Sequence, residues 1–243
     1  MRIRQMFATR DFVDLETLRR ELDASESSLR RDLGILEHEG ALKRVYGGAF
    51  AAPVNKAFDY ATESVRLSAE KERIGRLAAS LIEDGQTVIL DGGSTVASVA
   101  RALGTKRLQV VTSSLPIAEC LESQRNVELT FTGGTFDSRL RTMVGPFCEQ
   151  MLAAIRADVV IMGIGSIRPQ GFSNNNSLVV GSERKMLAAA NRVIVVADHT
   201  KFGRAGMIPV APLCAAHVVV TDAGASPEHV EMLRGQGVEV LLA

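Results

Sequence analysis

The sequence has few cysteines, and they stand far apart. Its three cysteines are Cys120, Cys148 and Cys214, with no CxxC spacing among them. This pattern argues against a disulfide framework and against a zinc site, and it fits a reducing compartment. From the sequence we therefore expect no metal, no cofactor and a cytoplasmic location.

Long apolar runs and an excess of charge of one sign are also lacking. No apolar run approaches the roughly 20 residues that cross a bilayer, and no secretory signal opens the chain, which indicates a soluble protein with no membrane partner. The 28 lysines and arginines are balanced by 28 aspartates and glutamates. Residues 1–50 are balanced as well, so any binding of nucleic acid must depend on where individual arginines lie.

Apolar residues make up 46% of the 243 residues, enough for one large α/β domain and a small second domain. In the first 50 residues, apolar residues at helical spacing predict three short helices, with Asp14 and Ser25 as N-caps of the second and third. A hairpin after them completes the outline of a winged helix-turn-helix. The predicted helices cover 2–9, 15–22 and 26–39, and the hairpin covers 41–48.

The third helix of such a domain enters the major groove of DNA with its N-terminal residues at the base edges. Arginines there can contact phosphates or a guanine edge, serines can reach bases or backbone, and the wing can clamp the backbone. The alternative is that Arg30 and Arg31 form a solvated helix face paired with Glu26 or Glu37. The candidate DNA-binding residues are Ser27, Ser28, Arg30, Arg31, Lys43, Arg44 and Tyr46.

The stretch TVILDGGSTV, residues 87–96, organises the rest of the chain. Its first four residues suit a strand that is covered on both faces of a parallel sheet. Gly92 and Gly93 allow a tight turn, after which Ser94 and Thr95 lie at a helix N-terminus, where an anion is favoured. The loop is either a phosphate-sized anion site or an ordinary strand–turn–helix connection, and by itself it does not decide between them.

Strands and helices alternate from this stretch onward, after a long helix predicted over 63–81. This alternation is typical of a doubly wound, mostly parallel α/β sheet. The predicted strands are 87–90, 108–112, 127–131, 158–162, 193–197, 217–221 and 238–242, and the helices between them are 96–103, 116–124, 145–155, 181–191 and 227–236. The predicted domains are 1–52 and 63–243, joined by a linker over 53–62.

Glycine, serine and threonine recur in the loops that follow the strands, beside Asp198 and Lys201. In a parallel sheet these loops meet at one edge, where ligands bind. Backbone donors for a phosphate, a cation for its charge and carboxylates for hydroxyls are what a phosphorylated polyol requires. Each loop singly is more simply explained as a turn, but their recurrence at one edge predicts a ligand site.

The segment SESSLRRDLGILEHEGALKRVYGGA resembles the DNA-binding domain of the DeoR family of bacterial transcription regulators, above all in Arg-Arg-Asp-Leu and Arg-Val-Tyr-Gly-Gly. The later motifs DGGST, VTSSLP, TGGTF, ADHTKFG and VTDAG are similar, in order, to the sensor domain of the same family. The resemblance implies a sensor domain whose fold is like that of ribose-5-phosphate isomerase. It also implies that this sensor domain binds a phosphorylated sugar, which typically releases the repressor from DNA. It also implies operator contacts from Arg30, Arg31, Lys43 and Arg44. Family members usually begin several residues earlier, which suggests a start codon upstream of Met1 or a weakened DNA-binding domain.

Site residues follow from the resemblance by position. It implies phosphate contacts from Gly93, Ser94 and Thr95, support from Gly133 and Gly134, and sugar contacts from Asp198 and Lys201, with Asp91 orienting the loop or meeting a sugar hydroxyl. His199 is expected to set loop geometry.

Three features depart from the family pattern. Gly165 stands where the family usually has a carboxylate, and Glu183 stands where many members have lysine. The loop GFSNNN, residues 171–176, is unusually rich in asparagine. Together these departures predict an atypical ligand or an altered response.

The leading hypothesis is a transcriptional repressor that binds double-stranded operator DNA as a homo-oligomer, a dimer or tetramer, and is relieved by a phosphorylated sugar. The competing hypothesis is a sugar-phosphate isomerase. That reaction needs a positioned general base, and the corresponding loop offers Gly165 and Ser166 instead. A third hypothesis is a degenerate family member without effector response. We therefore expect no enzymatic activity and assign no catalytic residue.

Overall fold

A computed structural model of the chain describes Ile3, Met6 and residues 12–22, 24–38, 42–45, 47–51 and 59–243. The chain divides into two compact units, Met1–Phe58 and Asp59–Ala243. None of the helices within these described ranges is long and apolar enough to cross a membrane.

The N-terminal unit packs two helices against a small antiparallel sheet. The middle strand, β3, pairs with both β1 and β2, and the last two strands form the predicted hairpin. Strand β1 was not predicted, because three residues carry too little alternation to indicate a strand. The predicted helix over 2–9 lies mostly outside the described residues, although Ile3 and Met6 are helical. The elements are β1 (Phe12–Asp14), α1 (Leu15–Leu22), α2 (Glu26–His38), β2 (Leu42–Val45) and β3 (Gly48–Ala51).

Both predicted N-caps of this unit are confirmed. The Asp14 carboxylate accepts hydrogen bonds from the Thr17 amide at 2.7 Å and from the Thr17 hydroxyl at 2.8 Å, at the start of α1. The Ser25 hydroxyl oxygen accepts from the Ser28 amide at 3.2 Å, at the start of α2. These bonds satisfy amides that the first helical turn leaves unpaired. The core between the helices and the sheet contains Ile3, Val13, Leu18, Leu29, Leu33, Leu42 and Ala49.

The C-terminal unit is built on a seven-stranded sheet in which every pair of neighbours is parallel. All seven predicted strands are present, with bounds that differ by a few residues, so the predicted fold class is confirmed. Strands covered on both faces need apolar residues at nearly every position, which is why the sequence revealed them. They are β4 (Thr87–Leu90), β5 (Leu108–Thr112), β6 (Val127–Phe131), β9 (Ala157–Gly163), β12 (Ala190–Val196), β14 (Val218–Thr221) and β15 (Glu239–Leu242).

The single helix predicted over 63–81 is wrong. Two helices occupy this part of the chain, α3 (Tyr60–Val65) and α4 (Ser68–Ser80), and α3 begins inside the predicted linker. Between them Arg66 is extended and Leu67 adopts a left-handed conformation with φ of 50°. The Lys71 ammonium donates to the Glu63 carbonyl oxygen at 2.5 Å and fixes the break.

Helices cover both faces of the sheet. Successive residues of β4 point to opposite faces, so Val88 and Leu90 pack with α4 and α5, whereas Ile89 packs in the core that contains α7 and α8. The connecting helices confirm those predicted, and they are α5 (Ser94–Ala102), α6 (Leu115–Leu121), α7 (Pro146–Ala153), α8 (Ser177–Ala189) and α9 (Pro227–Arg234).

Two small antiparallel elements were not predicted, because strands of three or four residues carry little periodic signal. A hairpin follows β6, and a three-stranded sheet follows β9 in the order β10-β11-β13. Their strands are β7 (Thr135–Asp137), β8 (Thr142–Val144), β10 (Ser166–Arg168), β11 (Gly171–Asn174) and β13 (Ile208–Ala211).

The strand order reverses between β4 and β9. From β4 the chain continues to β5 and β6 on one side, whereas β9 and the strands after it extend the sheet on the other side, giving the order β15-β14-β12-β9-β4-β5-β6. In open α/β sheets the crevice for ligands lies outside the carboxyl ends of the strands at such a reversal. The loops after β4 and β9 are therefore the place to look for a site.

Helices α4 and α5 approach each other at Gly75. A Cβ atom added at Gly75 would lie 2.6 Å from the backbone carbonyl carbon of Ser98 and 2.7 Å from its oxygen. Gly75→Ala is therefore expected to lower the free energy of unfolding by about 1–3 kcal/mol through overpacking, despite the roughly 1 kcal/mol that alanine adds to helix propensity. Urea denaturation measures this change. Gly181→Ala in α8 is the control, since its Cβ meets only the flexible end of Glu149, and equal losses in both variants would contradict the prediction.

Candidate functional site

Asp91 joins the two loops at the reversal of strand order. It follows β4, is 8% exposed, and its Oδ2 atom accepts a hydrogen bond from the Gly163 amide at the end of β9 at 3.2 Å. Gly93 then turns the chain into α5 with φ of 103°, a conformation that side chains other than glycine rarely adopt. The Thr142 hydroxyl lies close to this turn, since a Cβ atom added at Gly92 would be 3.8 Å from its oxygen. The same hydroxyl donates to the Ser113 carbonyl oxygen at 3.0 Å.

Ser94 and Thr95 form the first turn of α5, as the sequence predicted. Both are 7% exposed. The Ser94 hydroxyl donates to the Glu63 carbonyl oxygen at 3.3 Å. The amide groups of a first helical turn lack partners within the helix, so this turn has the polarity that binds an anion.

A cluster of cations surrounds Glu63 beside that turn. The Lys201 ammonium donates to Glu63 Oε2 at 3.2 Å, and a guanidinium nitrogen of Arg66 lies 3.5 Å from the same oxygen. Burial alone would raise the pKa of Glu63, but the nearby charges of Lys201, Arg66 and Lys71 outweigh burial and hold the pKa below its usual value. We call Glu63, Arg66, Ser94, Thr95 and Lys201 the anion site.

Glu63, Arg66 and Lys71 were not among the site residues predicted from the sequence. Lys71 stood on the expected polar side of a helix, yet it is 1% exposed, and burial lowers the pKa of its ammonium group. Glu63 and Arg66 fell within the single helix predicted over 63–81, and no contact was predicted for them.

Asp198 lies at the end of β12 and is fully buried. Its Oδ1 atom accepts from the amide and the hydroxyl of Thr200, and its Oδ2 atom has no hydrogen-bond partner among the described residues. Burial alone would raise the pKa of Asp198. The Thr200 hydrogen bond and the charges of Lys201 and Arg66 outweigh burial and hold the pKa below its usual value, so the carboxyl stays ionised. The Arg66 guanidinium also donates to the Thr200 hydroxyl at 2.7 Å.

His199 anchors the loop that carries Lys201. Its backbone amide donates to Asp222 Oδ1 at 2.7 Å, and its ring Nδ1 lies 2.7 Å from Asp222 Oδ2. These two contacts fix the geometry of the loop, which is the role expected from the sequence.

Glu183 of α8 forms a second buried carboxyl beside Asp91. It is 2% exposed, its Oε1 atom accepts from the Asn174 side-chain amide at 2.7 Å, and its Oε2 atom has no partner in the described part of the chain. Burial raises the pKa of Asp91 to about 7. Burial and the charge of Asp91 raise the pKa of Glu183 to about 8. We call Asp91 and Glu183 the carboxyl pair.

Gly133 and Gly134 follow a different strand from the one that precedes the Ser94 turn. They follow β6, which is two strands away from β4 and therefore about 10 Å from it. A Cβ at Gly134 would lie 2.7 Å from the Val144 carbonyl oxygen, whereas Gly133 is exposed with nothing close to it. The geometry of Gly134 is thus explained by the hairpin that it opens. No group of three or more histidine, cysteine, aspartate or glutamate side chains within the described ranges could hold a metal ion.

In the N-terminal unit the predicted DNA-binding residues lie on α2 and the hairpin. Ser27, Arg30, Arg31 and Arg44 are exposed and Ser28 is partly buried. The Arg30 guanidinium donates to Glu26 at 2.9 Å and 2.6 Å, which is the pairing considered as the alternative. The Arg44 amide donates to Glu37, and its guanidinium lies 3.4 Å from where a Cβ of Gly34 would lie. Lys43 is in β2, but its side chain and all of Tyr46 lie outside the described residues.

Two solved structures resemble this chain at low similarity. Ribose 5-phosphate isomerase A from Methanocaldococcus jannaschii matches at 17% identity with a TM-score of 0.36, over 54% of this chain and 53% of that chain. Translation initiation factor eIF-2B from Pyrococcus horikoshii OT3 matches at 21% identity with a TM-score of 0.45, over 63% and 62%. These matches bear on neither activity nor ligand.

Family models and curated relatives match nearly the whole chain. The DeoR-like helix-turn-helix domain matches residues 1–53, and the DeoR C-terminal sensor domain matches residues 67–223. The transcriptional repressor GlcR of Bacillus subtilis is 33% identical over 91% of this chain and 86% of its own length. The transcriptional repressor CsqR of Escherichia coli is 32% identical over 89% and 84%. The chain therefore belongs to the DeoR family of transcriptional regulators.

Proposed function

We propose that this regulator represses transcription by binding operator DNA through its N-terminal unit, and that a small phosphorylated sugar binds at the anion site and releases the DNA. The observation that carries the proposal is the position of the Glu63 carboxylate. It is held by Lys201 and Arg66 beside the first turn of α5. A carboxylate thus lies between two cations, and the main-chain carbonyl of the same residue accepts from the Ser94 hydroxyl. Cations and a hydroxyl donor at a helix N-terminus are the groups that a phosphate requires.

Glu63 also connects the anion site to the rest of the chain. It belongs to α3, which begins at Tyr60, directly after the N-terminal unit in the sequence. A phosphate that binds Lys201 and Arg66 competes with Glu63 and favours an arrangement in which α3 is released. Because the ligand binds one arrangement better than the other, it shifts the balance between them and thereby changes operator affinity.

The proposal includes a homo-oligomer in the cytoplasm. One winged helix covers few base pairs, so adequate affinity and specificity require two or more copies on repeated or palindromic half-sites. Relatives named as transcriptional repressors support a regulator over an isomerase. The phosphate contacts assigned to Gly93, Ser94 and Thr95, and the sugar contacts assigned to Asp198 and Lys201, remain predictions.

Thermal unfolding with inorganic phosphate and a panel of sugar phosphates tests the anion site. At least one phosphorylated compound is expected to raise the melting temperature, because a ligand that binds only the folded state stabilises it. Ser94→Ala removes a hydrogen bond to a charged group, worth about 1.5–3 kcal/mol, and is expected to weaken binding about 10- to 100-fold. Ser177→Ala is the matched control, since Ser177 is likewise the first residue of a helix.

In the same experiment Ser94→Ala is expected to weaken phosphate binding, whereas Glu63→Gln is expected to strengthen it. The variant is expected to melt at a lower temperature without ligand, because Lys201 and Arg66 lose their charged partner. It is also expected to bind phosphate about tenfold more tightly, because no carboxylate competes for those cations. If only unphosphorylated compounds stabilise the wild type, or if Glu63→Gln leaves phosphate binding unchanged, the proposed site is wrong.

A further inference from the structure

We propose that the ligand carries an ammonium group as well as a phosphate, so that the regulator responds to a phosphorylated amino sugar, with the ammonium bound between Asp91 and Glu183. This inference rests on the proposed function, since it names the chemical class of the ligand that fills the anion site. It is carried by the carboxyl pair, of which the resemblance gave Glu183 no ligand contact and gave Asp91 the loop or a sugar hydroxyl.

The carboxyl pair lies where a ligand is expected and lacks a cation. Asp91 follows β4 at the reversal of strand order, three residues before Ser94, and keeps 8% of its surface exposed. Glu183 lies close enough for the charge of Asp91 to disfavour its ionised form. In the described part of the chain neither carboxyl forms an ion pair, and Glu183 Oε2 has no hydrogen-bond partner at all.

Charged groups near Glu183 lie on its own helix α8, on α7 and in the loop after β4. Arg184 follows Glu183 in α8 but is exposed and donates to the Pro209 carbonyl oxygen. Lys185 is exposed on the same helix, and Glu149 of α7 contacts α8 at Gly181. Asn174 of β11 is neutral. Asn174 thus donates to Glu183, and Gly163 donates to Asp91. The exposed Arg184 only partly offsets the burial and the Asp91 charge that disfavour ionisation of Glu183. No cation within the described ranges forms an ion pair with either carboxyl.

An ammonium group fits this pair better than a hydroxyl group does. Burying a carboxylate without a partner is unfavourable by several kcal/mol, and two adjacent buried carboxylates repel each other. A hydroxyl offers one donor and no charge, whereas an ammonium offers three donors and a positive charge that stabilises both ionised carboxyls.

The opposite polarity of the two neighbouring sites sets the orientation of the ligand. The anion site presents Lys201 and Arg66, whereas the carboxyl pair presents carboxyl oxygens that are all acceptors once ionised. A small molecule with a phosphate at one end and an amine farther along its chain matches both sites in charge. A sugar phosphate without an amino group matches only the anion site in charge.

Matched pairs of ligands test the inference by isothermal titration calorimetry on the full chain. The pairs are the 6-phosphates of glucosamine and glucose, of galactosamine and galactose, and of mannosamine and mannose. In at least one pair the amino compound is expected to bind about tenfold or more tightly than its hydroxyl counterpart. Glu183→Gln is expected to reduce this preference to about onefold, whereas the control Glu149→Gln keeps the preference.

Proton release gives a second measurement that needs no variant. Because an ammonium favours the ionised carboxyls, binding of the amino compound at pH 7 is expected to release protons, seen as a heat that depends on the ionisation enthalpy of the buffer. Phosphate or hydroxyl compounds that bind as well as the amino ones, with no proton release, would overturn the inference and leave the proposed function standing. If no phosphorylated compound binds the wild type or Glu63→Gln, the proposed function itself fails.

Discussion

Replacing Arg30 and Arg31 together with alanine is expected to weaken operator binding by about 1–3 kcal/mol per arginine. Both side chains are exposed on α2, the helix that such domains insert into the major groove. If both contact phosphates, the slope of log K against log salt concentration is also expected to fall by about two, because two fewer counterions are released. Binding to a duplex selected by the wild-type protein, titrated at several salt concentrations, measures both quantities.

The Glu26 contact makes this prediction more specific. Arg30 donates twice to Glu26, so a contact between Arg30 and DNA replaces the carboxylate with a phosphate or a guanine edge. An exposed pair on a helix is worth only a few tenths of a kcal/mol, which is far less than the expected DNA contact. The pairing is therefore compatible with DNA binding by Arg30.

A double variant elsewhere separates local contacts from net charge. Arg107→Ala with Arg234→Ala removes two exposed, paired arginines from the C-terminal unit and changes the net charge equally. This control is expected to bind DNA like the wild type. Unchanged affinity of the Arg30 and Arg31 variant at matched salt would remove the DNA-binding assignment of α2.

The second large effect is a fall in stability as the pH rises from about 5 to 8. The carboxyls of Asp91 and Glu183 ordinarily titrate near 3.8 and 4.5, whereas in the folded protein their pKa values are raised to about 7 and about 8 by burial and, for Glu183, by the charge of Asp91. Between these values the folded state binds more protons than the unfolded state. The free energy of unfolding therefore decreases with rising pH across this window. Urea denaturation at half-unit steps of pH measures the slope.

Glu183→Gln is expected to flatten this dependence, because glutamine has no proton to lose as the pH rises. Relative to the wild type, the variant gains more stability at pH 8 than at pH 5. Glu149→Gln replaces a carboxyl of the neighbouring helix α7, outside the pair, and is expected to keep the slope. A wild-type stability that is constant or rising between pH 5 and 8 would show that the pair is not protonated in the folded state.

Much of the anion site could be predicted because its elements are local. The order of strand, glycine turn and helix over 87–96 identifies Ser94 and Thr95 from a single stretch of sequence. Glu63 could not be found this way, because its contacts cross 31 residues to Ser94 and 138 residues to Lys201. Helical spacing also failed to predict the burial of Lys71. Periodicity identifies a face of a helix, but it does not show what packs on that face.

Amino-acid sequence by itself determined the two-domain order, the seven parallel strands and the helices between them, because apolar periodicity and turn residues act over short stretches of chain. Tertiary structure alone decided which charged side chains are desolvated and which partners they meet. It placed Glu63 among cations and left the Asp91 and Glu183 carboxyls together without one. The physical reason is that a charge state depends on burial and on every nearby charge, and these neighbours come from distant parts of the chain.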